Sequence, residues 1–133
     1  MRPRFATAAA TLLALGVLAA GCGTTRPVEI QITVHYSKFE PSAVSVPSGV
    51  PVTFVLVNAD PIDHEWLIGD PDFHQRHRTG TDAQHGARPN EISVPALASE
   101  STTLTFEEPG ELAFICHLPG HETYGMVGKL TVL

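Results

Sequence analysis

The chain has 133 residues, 8 basic and 14 acidic side chains, a formal net charge of −6 and an apolar share of 43%. That length suits one domain, and the acidic balance argues against nucleic acid as a partner. Two cysteines, Cys22 and Cys116, are too few for the disulfide framework of a small secreted scaffold.

The first 21 residues read as a targeting segment. Arg2 and Arg4 form a short positive region, and Ala8 to Ala20 is an apolar run too short to span a bilayer as a helix. It ends in Leu18-Ala19-Ala20-Gly21-Cys22, which resembles a bacterial lipobox. That resemblance implies a lipoprotein signal peptide over 1–21, a lipid on Cys22, a tether over 22–27 and a domain over 28–133. The domain would then sit on the outer face of the bacterial cytoplasmic membrane. An ordinary secretory signal, giving a secreted or periplasmic protein, and an uncleaved anchor are the alternatives. Removing residues 1–21 takes away two arginines and no acid, so the remainder is more acidic still. Such a surface would steer toward a basic redox partner, or it serves solubility alone. With Cys22 lipidated, Cys116 has no partner. A free thiol in an oxidising compartment is a liability unless a metal occupies it or it is buried and inert.

Val28 to Tyr36 alternates apolar and polar residues, the pattern of a half-buried strand, with His35 on the polar side and Tyr36 on the apolar one. Val44-Ser45-Val46 is a short strand before the Pro47-Ser48-Gly49 turn. Val52 to Val57 is a dense β-branched and aromatic run, expected to be buried on both faces. Asn58 to Asp63 breaks it, and His64 to Ile68 resumes. Asp70 to Asn90 is long and polar, as in a functional loop or a disordered one. Glu91–Val94, Thr102–Phe106, Leu112–Cys116 and Val127–Leu133 complete the strands. No amphipathic helix stands out, although Ala96 to Ser101 or part of the 70–90 stretch has room for a turn of one. Seven or eight short strands separated by turn signals imply an all-β, Greek-key β-sandwich.

The chemistry concentrates in Phe114-Ile-Cys-His-Leu-Pro-Gly-His-Glu-Thr-Tyr-Gly-Met126. A thiolate (Cys116), an imidazole (His121) and a thioether (Met126) at five-residue intervals form a soft ligand set that favours copper. A second imidazole is available upstream, His64. On a strand, Leu112, Phe114 and Cys116 share the inward face, and the turn at Pro119-Gly120 can return His121 over the sulfur. A trigonal His-Cys-His site with a long Met contact suits both copper oxidation states and leaves no open position for substrate. The expectation is one copper per chain in a carrier that is not an enzyme.

The Cys-x4-His-x4-Met spacing, with Ile-Cys-His-Leu-Pro-Gly-His and Gly-Met-x-Gly-Lys-Leu, resembles the cupredoxins, the blue (type 1) copper proteins. It is closer to the rusticyanin and sulfocyanin group than to plastocyanin or azurin, whose loops are shorter. The likeness spans roughly 28–133 and includes Phe39-x-Pro41 and the approach from Asn58 to His64. It implies His64, Cys116 and His121 as strong ligands, Met126 as the axial one, and His121 as the electron's exit near the surface. Glu65 stands where many cupredoxins have Asn or Ser helping to hydrogen-bond the sulfur. An ionised carboxylate there would favour the oxidised metal; one turned to solvent would not.

Other histidines leave alternatives open. His117, next to Cys116, is expected to face away from the copper in a structural or exposed role. His74, His77 and His85, with Asp70 or Asp72, offer a possible secondary metal site; a solvated polar loop is the plainer reading. Three functions follow: an electron shuttle outside the membrane, acting as a monomer between unidentified redox proteins; an envelope copper-binding or delivery protein; and a small copper enzyme with an added metal in the His74–His85 loop.

Overall fold

A computed structural model describes residues 28–80 and 88–133. The expected signal segment and tether, with Cys22, and His85 lie outside the described residues. Among the described residues nine strands and one helix follow in chain order: β1 (Val28–His35), β2 (Lys38–Glu40), β3 (Ala43–Val46), β4 (Val52–Asn58), β5 (His64–Gly69), α1 (Pro71–Thr79), β6 (Glu91–Val94), β7 (Ser99–Leu104), β8 (Gly110–Ile115) and β9 (Val127–Val132). They form two sheets, β2-β1-β4-β7 and β3-β9-β8-β5-β6, packed as an all-β sandwich. Within each sheet one neighbouring pair is parallel, β1 with β4 and β3 with β9, and the other pairs are antiparallel.

The core lies between the sheets. Ile32, Phe54, Leu56, Trp66, Phe114 and Leu130 are completely buried there, together with Cys116 and Met126. Burying each large apolar side chain contributes about 1.5–3 kcal/mol. Trp66 lies between Phe54 and Phe114, with ring centroids 4.9 and 5.9 Å away. Both segments that carry Cys116 and His64 are therefore rooted in one packed cluster.

β4 differs from its expected two-sided burial. Val52, Phe54, Leu56 and Asn58 are buried, whereas Thr53, Val55 and Val57 are only half-buried. Among the described residues no helix covers the outer face of this sheet, and Thr53 and Thr103 hydrogen-bond across it at 2.9 Å. Tyr36 also departs from the alternating pattern: it is 81% exposed, because the chain leaves β1 there with Tyr36 and Ser37 both left-handed, at φ 51° and 53°.

The polar 70–90 stretch contains a helix that apolar periodicity did not reveal. Its signals are local. The Asp70 side chain caps it by accepting from the Phe73 N–H at 2.7 Å, Pro71 opens it, and Gly80 ends it in the left-handed conformation. Phe73, His74 and His77 face inward, against β5 and β8. Gly69 permits this contact, since a Cβ there would come within 2.4 Å of the Phe73 ring. The stretch from Ala96 to Ser101 forms no helix; it turns and enters β7.

Candidate metal centre

One end of the sandwich gathers the ends of β1, β4 and β8 and the start of β5. Cys116 follows β8, with its side chain in the core. The ligand loop then folds back by main-chain bonds: His121 N–H to Leu118 O at 3.0 Å, Tyr124 N–H to Gly120 O at 3.0 Å and Gly125 N–H to Glu122 O at 2.8 Å. Gly120 and Gly125 both sit at φ 86°, a conformation that favours glycine. Met126 N–H donates to His121 O at 3.0 Å, and Cys116 N–H donates to Met126 O at 3.2 Å. The backbone at the two sulfur residues and at His121 is thereby tied into one ring of hydrogen bonds.

Three side chains converge at this loop. His64 Nδ1 lies 3.2 Å from His121 Nδ1, which lies 3.3 Å from Cys116 Sγ. The ligand atoms of His64, Cys116 and His121 all fall within 4.8 Å of one another, the one such group of three among the described residues. His64 and Cys116 are buried, His121 is partly exposed, and Met126 is fully buried in the same cluster as Cys116. Burial pushes the Cys116 thiol up, against the Glu65 and Leu118 N–H groups that point at the sulfur. Burial and the neighbouring His64 push His121 down, which keeps its imidazole neutral and able to ligate.

Glu65 acts on the sulfur through its backbone: its N–H donates to Sγ at 3.4 Å. A main-chain group thus reaches the thiolate at the position after His64, whatever side chain stands there.

Asp60 was not evident in the sequence, where it reads as one of several strand breakers. Its Oδ2 is 3.0 Å from His64 Nε2. Asn58 builds the turn around it: Nδ2 donates to Ile62 O, Val94 O and Pro95 O, while Oδ1 accepts from Asp60 N–H. The only sequence signal was the i, i+4 spacing of Asp60 and His64 beside Asn58.

His74, His77 and His117 gather between α1 and β8. His74 Nε2 donates to Ala113 O at 3.0 Å, and its Nδ1 is 2.9 Å from His117 Nε2. His77 Nδ1 lies 2.9 Å from Phe73 O, and its ring stacks on His117 at 5.5 Å. His117 is half-buried and points to this cluster. Burial and the neighbouring His74 push it down to about 4. Among the described residues, His74 and His77 share no metal-ligating group of three with any neighbour, and both nitrogens of His74 are engaged.

Comparison with known proteins agrees with this geometry. The profile of copper-binding proteins of the plastocyanin/azurin family matches residues 27–133. The chain belongs to that family. It is a cupredoxin, and copper is its cofactor. It is 36% identical to the copper-resistant cuproprotein CopI of Rubrivivax gelatinosus over 71% of this chain, and spans 59% of that protein's length. It is 31% identical to the CopI of Pseudomonas aeruginosa over 90% of this chain and 82% of that protein. Auracyanin B, 25% identical, superposes with a TM-score of 0.67 over 81% of this chain and 91% of its own.

The donor set fits copper on its own chemistry. One buried cysteine sulfur and two imidazoles within 4.8 Å of one another, with Met126 buried in the same cluster as Cys116, are soft and nitrogenous ligands without a carboxylate among them. His64, Cys116, His121 and Met126 would hold the ion.

Proposed function

We propose that this cupredoxin is an electron carrier of the cell envelope. Copper, when bound, supplies a one-electron Cu(II)/Cu(I) couple. What supports the carrier reading is the prior convergence of His64 Nδ1, His121 Nδ1 and Cys116 Sγ, at 3.2 and 3.3 Å, on backbone locked by hydrogen bonds. Ligands already gathered around a small space have little to reorganise when an electron arrives. His64 and Cys116 are buried and His121 is partly exposed, so electrons would leave through the His121 ring. The donor and acceptor are redox proteins, the carrier works as a monomer, and it performs no chemistry on a substrate. A lipid on Cys22 would hold it on the outer face of the cytoplasmic membrane; intact mass of membrane-extracted protein checks this, and an unmodified Cys22 would reject it.

A second reading, copper handling, is favoured by one observation: two relatives are named copper-resistant cuproproteins. In that role the same side chains would bind copper for storage or delivery. The two readings separate in one experiment, voltammetry of the loaded protein followed by challenge with a Cu(I) chelator. A reversible couple with retention of copper supports the carrier; rapid loss of Cu(I) supports handling and contradicts the carrier.

A further inference from the structure

The carboxylate of Asp60 is buried, with 6% exposure, and two backbone N–H groups and the His64 imidazole converge on its two oxygens. Tyr36 N–H donates to Oδ1 at 2.8 Å and Ser37 N–H to Oδ2 at 2.7 Å. His64 Nε2 is 3.0 Å from the same Oδ2. The backbone amides can only donate, so both oxygens must accept. With Asp60 as the carboxylate, the oxygen that accepts from Ser37 N–H can only accept from His64 Nε2 as well, which places the proton on Nε2 and, in the neutral ring, leaves the lone pair on Nδ1. Nδ1 is the nitrogen turned toward His121 and the sulfur. An asparagine cannot reproduce the arrangement. Its amide nitrogen would oppose either the Tyr36 N–H or the pair formed by Ser37 N–H and His64 Nε2–H.

We propose that Asp60 is a positioning residue for the copper centre: its carboxylate fixes the tautomer and direction of His64 and adds a buried negative charge that favours Cu(II). This rests on the reading of His64 as a copper ligand. The charge balance gives the direction. Cu(II) with the Cys116 thiolate and Asp60 sums to zero, whereas Cu(I) leaves one net negative charge in a buried site. Asp60 therefore opposes reduction. The same carboxylate holds the two left-handed residues of the β1–β2 turn, Tyr36 and Ser37, so turn and ligand are fixed by one group.

Two measurements test this. In the copper-free protein labelled with 15N-histidine, long-range 1H–15N correlation should find His64 as the Nε2–H tautomer with a slowly exchanging proton. In the copper-loaded protein, Asp60→Asn should raise the Cu(I)/Cu(II) ratio at fixed poise by about tenfold or more, a shift of about 59 mV upward. An Nδ1–H tautomer in the native protein, or an unchanged potential in Asp60→Asn, would overturn the proposal. If Asp60→Asn does not fold, the tautomer of the native protein decides alone. Failure of the native protein to bind copper would refute the ligand assignment, while the copper-free tautomer still reports on Asp60.

Discussion

Two histidine clusters lie on either side of Cys116, and their difference shows what makes an imidazole a ligand. At the copper end, His64 has one nitrogen held by a carboxylate and the other turned toward His121 and the Cys116 sulfur. Beneath α1, His74 has one nitrogen on the Ala113 carbonyl and the other on His117, and His77 bonds the Phe73 carbonyl. Both clusters bring imidazoles to about 3 Å. Only the first adds a sulfur and leaves nitrogens free to point at a common space. The second fastens a helix to a sheet, and Arg78 extends that fastening to the ligand loop through paired bonds to Glu122 at 3.0 Å.

The sharpest way to break this comparison is to exchange the roles. Cys116→Ser should abolish the intense thiolate-to-copper absorption entirely, whereas His117→Gln, one residue away, should retain it. Loss of the band in His117→Gln but not in Cys116→Ser would invert the assignment. Next in size, His64→Ala should weaken copper binding by roughly two orders of magnitude or more, beyond the 10–100-fold typical of supporting residues. His74→Phe should leave the affinity within about threefold. Competition with a calibrated chelator measures both.

The cluster beneath α1 carries a pH signature. Burial lowers His74, and lowers His117 to about 4. Their unfolded forms take up a proton near 6.5; the folded ones do so at lower pH, His117 at about 4. The unfolded state therefore binds more protons between those values, and stability falls as pH drops. Copper-free protein should keep near-constant stability between about pH 6.5 and 8 and lose about 1–3 kcal/mol by about pH 4. Urea titrations across that range measure this, and His74→Gln/His117→Gln should flatten the slope. The smallest expected effect is that of Glu122→Gln. Its pairing with Arg78 holds Glu122 below the usual carboxylate range, but both groups are partly exposed, so the loss should stay below about 1 kcal/mol with the absorption band unchanged.

How much the sequence disclosed depended on the range of each signal. Alternation in Val28–His35 and the run at Val52–Val57 announced strands, because period-two burial is written locally. The Cys116-His121-Met126 spacing was legible because all three residues lie on one loop. Helix α1 escaped because it buries Phe73 and two histidines, leaving no apolar stripe, although Asp70, Pro71 and Gly80 marked its ends. Asp60 escaped because its meaning depends on Tyr36 and Ser37, more than twenty residues away. In Asn58-Ala59-Asp60-Pro61 it looked like ordinary turn chemistry.

The central claim is that His64, Cys116, His121 and Met126 hold a single copper ion at one end of the sandwich. Titrating Cu(II) into the purified protein while recording the visible spectrum tests it most directly. An intense thiolate-to-copper band that saturates at one copper per chain is the predicted result. Bound copper without that band, or a band still growing at two coppers per chain, would contradict it.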